Sequence, residues 1–239
     1  MATAVVPEIG SASPKAVAPW WHTALLIGFF VLMAAGGAAL QYGARGRAGL
    51  VPHRPAVIPL YVSLLVAEWG LVYYVWKGGL RRTGITLLQF VGGRWDSVRA
   101  VFQDLLLAFG IWILWKGITL SWVRWLWTGH AASISPLVPR GVAEAVLWVL
   151  LSISAGISEE FAFRGYLQRQ LRAFTGRPSL ALFLQVIVFG IAHGYQGIRA
   201  CLLIAIYGAL LTLLALWRKS LRPGMIAHAW TDIAGGLLG

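Results

Sequence analysis

The chain has 239 residues, 59% of them apolar and only 12% charged, with a formal net charge of +12. A soluble domain is nearer 45–50% apolar and about 25% charged, so this composition excludes an ordinary soluble globule and an intrinsically disordered chain. The single cysteine, Cys201, excludes an intrachain disulfide.

Segments of about 20 mainly apolar residues are long enough to cross a bilayer. Taken in chain order they are predicted at 20–42, 57–76, about 101–123, 142–163, 179–197, 200–217 and 223–238. The expected architecture is therefore an all-α polytopic membrane bundle of about seven helices. Residues 1–19 read as a short flexible tail, and 20–239 as one membrane domain. The first span is too long for a secretory signal, and only Lys15 precedes it as a basic residue, so a retained anchor is expected. The third span is the least regular, with Asp104 near its start and Lys116 inside it.

Stretches 43–56, 77–97 and 124–141, punctuated by Gly, Pro and Arg, read as loops. With seven spans, Lys15 and the basic residues of 77–99, 164–177 and 218–222 fall on one side. Arg45, Arg47, Arg54, Lys116, Arg124, Arg140 and Arg199 fall on the other. The first set is larger, which puts the N-terminus in the cytoplasm and the protein in the cell membrane. The same distribution explains the net charge by lipid headgroups and topology, and no nucleic-acid partner is expected. Thirteen Trp suit interfacial belts, with Trp112, Trp115, Trp122, Trp125 and Trp127 as one candidate.

Carboxylates are expensive inside a membrane, so those found there usually face the bundle interior and serve function. Glu159 and Glu160 lie in the run Gly156-Ile157-Ser158-Glu159-Glu160-Phe161-Ala162-Phe163-Arg164. On a helix Glu160 and Arg164 share a face, whereas Glu159 points about 100° away. One acid is then held by a cation and its neighbour is left to act, an inequality that suits acid–base chemistry. His193 follows Phe189 by four residues, and Asp232 follows His228 by four. The turn Thr175-Gly176-Arg177-Pro178 lies 17 residues from both Glu159 and His193, so an antiparallel hairpin brings these two level. His228 matches that depth only if 164–177 protrudes into the cytoplasm. His193 lies six residues before Arg199, so the fifth span is expected to be tilted or incomplete. Two His with carboxylates suit either zinc or metal-free acid–base hydrolysis, and the spacing does not separate the two.

Glu159-Glu160-xxx-Arg164, Phe189-xxx-His193 and His228-xxx-Asp232, in this order within apolar helices, resemble the three motifs of the CPBP family. That family comprises the type 2 CAAX prenyl proteases and the bacterial Abi and bacteriocin-processing proteins. The resemblance covers about 142–238. It implies an intramembrane endopeptidase acting on a membrane-tethered or lipidated protein: a prenylated CAAX protein, a leader peptide or a C-terminal sorting tail. It further implies that Glu159 and His193 activate water, that His228 and Asp232 stabilise the oxyanion or bind metal, and that Glu160 and Arg164 tune the site. Phe189 would pack beside His193. A zinc form would use Glu159, His193 and His228. Position 232 is a departure: Asp stands where the well-studied CAAX enzymes have Asn, and an ionised Asp cannot donate a hydrogen bond. Asp232 would have to be protonated, orient His228 or touch a metal. With Gly239 at the end of a seventh span, the eighth span common in the family is not expected.

The rival reading from another class is a transporter or a non-catalytic scaffold or immunity protein using the same residues as a relay or as structural pairs. Against a transporter, no inverted repeat is visible. Of the remaining polar residues, His22, His53 and His130 are expected to be solvated. Glu68 is expected within the bundle or on the substrate path, and Asp104 is expected beside an Arg. Tyr166 and Gln168 are expected near a cavity mouth. Cys201 reads as a packing residue, and Gly156, Gly190 and Gly194 as sites of close helix contact.

Overall fold

The computed structural model describes residues 15–45, 56–126 and 135–238. The expectations for residues 1–14, His53, Trp127 and His130 lie outside the described residues. Among the described residues every element is helical. They run α1 (Trp20–Arg45), α2 (Val57–Gly78), one-turn α3 (Leu87–Phe90), α4 (Val98–Leu126), α5 (Val142–Glu159), a π-helical segment (Glu160–Leu167), α6 (Gln168–Thr175), α7 (Pro178–Ala192), α8 (Ile198–Arg218) and α9 (Arg222–Leu237). Five rods are long and apolar enough to cross a membrane: α1, α2, α4, the continuous α5–α6 rod and α8. Their outward faces carry bare apolar side chains such as Leu32, Val66, Phe102 and Leu213. Lipid, not water, is the solvent that suits such a surface. The chain is a multi-pass membrane protein.

One of the seven expected spans is shorter than the sequence suggests: α7 has 15 residues, whereas α9 has 16, the length expected of it. α7 stops at Ala192 because His193 leaves helical geometry and a 3₁₀ turn, Gly194–Gln196, follows; Gly197, at φ 88°, then redirects the chain into α8. At the other end, the Thr175–Pro178 turn forms as expected. Gly176 ends α6 in the left-handed region at φ 65°, and Pro178 opens α7 with the φ a first helical turn requires.

α9 is the internal strut, packed against α5, α4 and α8, while α7 packs against α8, α6 and α1. Close approach is bought with small residues. A Cβ on Gly156 would lie 2.7 Å from the Met225 carbonyl oxygen and 2.8 Å from the Ala229 nitrogen, both backbone atoms of α9. Gly190 is equally tight against the Cys201 carbonyl of α8, and Gly194 meets Ala34 of α1. Gly156→Ala must therefore push α5 off α9. We expect it to lower the unfolding midpoint in detergent by the equivalent of about 1–3 kcal/mol, and an unchanged midpoint would show that α5 and α9 do not pack this closely.

Two polar clusters fasten the ends of the helices. Asp104 of α4 is fully buried; it accepts from Trp95 Nε1 at 2.8 Å and from Arg218 Nε at 2.9 Å, with Arg222 Nε 3.6 Å away. The expected Arg partner thus exists, 114 residues away in sequence, and it pins the turn that launches α9. The second cluster corrects three expectations. His22 is buried, not solvated: its Nδ1 meets the Tyr166 hydroxyl at 2.7 Å, and its ring stacks on Tyr74. Tyr166 and Gln168 are buried and line no cavity mouth. Residues 17 and 18 are no loose tail, since the Val17 and Ala18 amides both donate to Gln170 Oε1. Within the segment 164–177, Arg164 and Arg172 are buried. Among the Trp of the candidate belt, Trp115 is a core residue packed on Tyr207.

Candidate active site

The first motif straddles the end of α5, which holds Glu159, and the π-helical segment, which holds Glu160 and Arg164. There each backbone bond spans one more residue, as between the Gln168 amide and the Phe163 carbonyl. Such bulges widen the turn and occur frequently at functional sites. The ion pair expected from α-helical spacing forms all the same: Arg164 Nη1 donates to Glu160 Oε1 at 2.8 Å, both side chains fully buried. The same oxygen receives His228 Nδ1 at 3.0 Å. Arg164 also donates through Nη2 to the Gly208 carbonyl at 3.2 Å, and its guanidinium lies 4.0 Å from the centre of the Phe189 ring. Glycine makes this possible twice. A Cβ on Gly208 would lie 2.7 Å from Phe189 Cδ1, and one on Gly224 would lie 3.1 Å from Glu160 Oε2. Glu160 and Arg164 therefore tie four elements into one knot: the π segment, α7, α8 and α9.

Glu159, one residue earlier, is placed differently. Its side chain is 22% exposed, and Oε2 has no hydrogen-bond partner. Its Oε2 lies 3.8 Å from His228 Nε2, and Asp232 Oδ2 lies 3.7 Å from the same nitrogen. Both separations exceed a direct hydrogen bond. His228 is thus anchored at Nδ1 and presents Nε2 to a gap flanked by two carboxylates. Its ring is wedged edge-on between Phe189 and Tyr207. α9 itself is held by Trp148, whose indole donates to the Asp232 carbonyl at 2.9 Å.

His193 caps α7. Its Nδ1 lies 2.9 Å from the Phe189 carbonyl oxygen, which can only accept. Nδ1 therefore carries a hydrogen and donates it to that carbonyl. The Phe189 ring lies 5.0 Å from His193 and 6.2 Å from His228, centre to centre. Phe189 is the hub between the two histidines and Arg164. His193 makes no hydrogen bond to Glu159 and joins the group through this ring.

Sequence reasoning singled out Glu68 as a residue of the bundle interior or substrate path. It lies on α2 beside Ser154 of α5, within electrostatic reach of Glu159, Asp232 and His228. Tyr207, Gly208, Gly224 and Thr231 were not singled out. The Tyr207 hydroxyl bonds Thr231 Oγ1 at 2.9 Å, and Thr231 in turn bonds the Ala227 carbonyl at 2.7 Å. A mid-helix Tyr and Thr on successive spans were the only available hint.

Glu159, His193 and His228 supply the donor types that zinc favours. As arranged they do not converge: among the described residues no three His, Cys, Asp or Glu side chains form a metal-holding group. His193 turns one nitrogen to a carbonyl, and His228 turns one to Glu160.

Residues 141–234 match the family model for type II CAAX prenyl endopeptidases, Rce1-like. All three motifs fall inside that segment. No curated protein and no solved structure matches the chain.

Proposed function

We propose that this chain, which belongs through residues 141–234 to the Rce1-like family of type II CAAX prenyl endopeptidases, hydrolyses a peptide bond of a membrane-tethered protein by carboxylate-activated water. The observation that carries this reading is the unequal pair of carboxylates. Glu160 is committed to Arg164 and His228, whereas Glu159 Oε2 is uncommitted and faces the same gap as His228 Nε2.

A water between Glu159 and His193 would give a proton to Glu159 as its oxygen attacks the peptide carbonyl carbon. The carbonyl electron pair moves onto oxygen, and a tetrahedral intermediate forms. That pair then returns, the C–N bond breaks, and the proton held by Glu159 passes to the leaving amine. Donors aimed at the oxyanion lower this barrier. His228, its Nδ1–H held by Glu160, presents Nε2–H for that purpose when doubly protonated, and Asp232 orients it. Zinc adds no step to this scheme, and chelation with phenanthroline is expected to leave turnover unchanged. Loss of turnover restored by zinc would replace the scheme with a metal-dependent one. A gap between helices surrounded by lipid suits a substrate that arrives sideways, carrying a prenyl group or a hydrophobic C-terminal tail. The N-terminus is assigned to the cytoplasm and the protein to the cell membrane, on the distribution of loop charge.

The test is a proteome-wide survey of new N- and C-termini in a deletion strain complemented with wild type or with His193→Ala. A lipidated or hydrophobic-tailed protein left uncut only with the variant is the expected result, and it identifies the substrate. Identical termini in both strains at equal expression would remove the hydrolytic reading in favour of a relay or scaffold.

A further inference from the structure

At the end of the bundle assigned to the cytoplasm, the loop before α4 and the turn before α9 form one surface that the gap does not use. The Leu221 amide donates to the Val91 carbonyl at 3.0 Å, and Ser220 Oγ donates to the same carbonyl at 3.2 Å. Arg222 Nη1 donates to the Gly93 carbonyl at 3.1 Å, and its guanidinium lies 4.7 Å from the centre of the Trp95 ring. The fit is close at Gly92, where a Cβ would lie 2.6 Å from Ser220 Oγ and φ is 108°. Through Phe90 the loop also reaches the catalytic rod. The Phe90 ring lies 4.9 Å from that of Phe161 in the π-helical segment and leaves no room for a Cβ on Gly165.

This surface carries more positive charge than its own acids can offset. Asp104 alone faces both Arg218 and Arg222. Arg94 and Arg99 are exposed, and Asp96 is the one acid between residues 77 and 99. Among these charges Trp95, Val98 and Trp217 stand exposed. Water does not suit such side chains, whereas headgroup depth does: the ring or branched chain meets acyl carbon while the adjacent cation meets phosphate. Neighbouring residues repeat the pairing, with Lys77 Nζ 5.3 Å from the centre of the Tyr73 ring and the Arg81 guanidinium 5.6 Å from that of Trp76. A guanidinium is the side chain best shaped to grip a phosphate with two hydrogen bonds.

We propose that the loop 91–99 and the turn between α8 and α9 form a docking site for an anionic phospholipid, with Arg94 and Arg99 holding the headgroup phosphate and Trp95 and Val98 lying against the acyl chains. This is one built surface, distinct from the diffuse attraction that all loop charges have for a membrane. A lipid held there presses the loop onto the start of α9 and, through Phe90, onto the π-helical segment, so its binding stabilises the fold. The docking is independent of the hydrolytic reading.

The experiment titrates the full chain in dodecyl maltoside with dioleoyl-phosphatidylglycerol or dioleoyl-phosphatidylcholine and follows the unfolding midpoint. Phosphatidylglycerol is expected to raise the midpoint by about 5 °C or more at saturation, and phosphatidylcholine is expected to leave it in place. Replacing Arg94→Gln together with Arg99→Gln should weaken the apparent affinity for phosphatidylglycerol about 30-fold, with the midpoint in phosphatidylcholine unchanged. Arg140→Gln together with Arg199→Gln, which removes the same charge where α5 and α8 begin, should keep the wild-type response. Native mass spectrometry of the wild type from an equal mixture of the two lipids should show phosphatidylglycerol retained. Equal responses to the two lipids, or equal retention of both, overturn the proposal. So does an equal loss with both pairs of substitutions, which would make the attraction diffuse. A rise of the same size when glycerol phosphate is added to phosphatidylcholine also overturns it, since the ligand would then be a free phosphate. No readout involves cleavage, so failure here leaves the hydrolytic reading untouched.

Discussion

Glu160→Ala is expected to destabilise the protein by about 3–5 kcal/mol, because it strands the Arg164 guanidinium without a counter-charge inside the bundle. The neighbours of Arg164 explain why the cost cannot be avoided. The guanidinium lies on the Phe189 ring and against the Gly208 carbonyl, and the side chain is 1% exposed, so it cannot turn out to solvent. The same substitution frees His228 Nδ1, which loses its 3.0 Å bond to Glu160. Thermal unfolding in detergent should show a much lower midpoint, and activity should fall with it. The double replacement Glu160→Met with Arg164→Leu separates the two effects. Removing both charges together should recover much of the stability, since no unpaired ion remains. It should not recover activity, since His228 still lacks its anchor. A midpoint for Glu160→Ala equal to wild type would mean that the pair does not sit in the buried knot described.

The helices were legible from apolar run length because a bilayer sets both the length and the composition of whatever crosses it. Their ends were less so. The α5–α6 rod continues to Thr175, well past the expected end at 163, since hydropathy falls after Arg164 while the backbone stays helical. α7 falls short because Gly194 and Gly197 turn the chain among apolar residues that read as a continued span. The ion pair Glu160–Arg164 was readable from four-residue spacing, and Asp232 near His228 likewise. The π-helical geometry beneath the first motif was not readable, because nothing in Glu160–Leu167 breaks an ordinary helix. Long-range partners were equally hidden. His22 resembles an edge residue until Tyr166, 144 positions away, is placed against it. Asp104 gave its need for a cation but not which one. Gly208 and Gly224 sit in unremarkable sequence, and only the space taken by Phe189 and Glu160 explains them.

Glu159→Gln is expected to leave the fold intact and lower kcat by roughly 100- to 10,000-fold, the range associated with removing a general base. The contrast with its neighbour follows from burial and partners. Glu159 is partly exposed, its Oε2 has no hydrogen bond, and among the described residues it comes within 4 Å of no basic group but the His228 ring. Neutralising it therefore strands nothing, and the unfolding midpoint should stay within about 0.5 kcal/mol of wild type, as for substitutions away from buried networks. Gln preserves size and can still hold water by hydrogen bonds, but it cannot take a proton from it. Single-turnover cleavage of a farnesylated peptide with a CAAX-type end at saturating enzyme separates the chemical step from binding. The loss should appear there, with substrate affinity little changed. If Glu159→Gln turns over at the wild-type rate while Glu160→Gln does not, the two carboxylates have been given each other's roles. The base would then have to work from within the ion pair with Arg164.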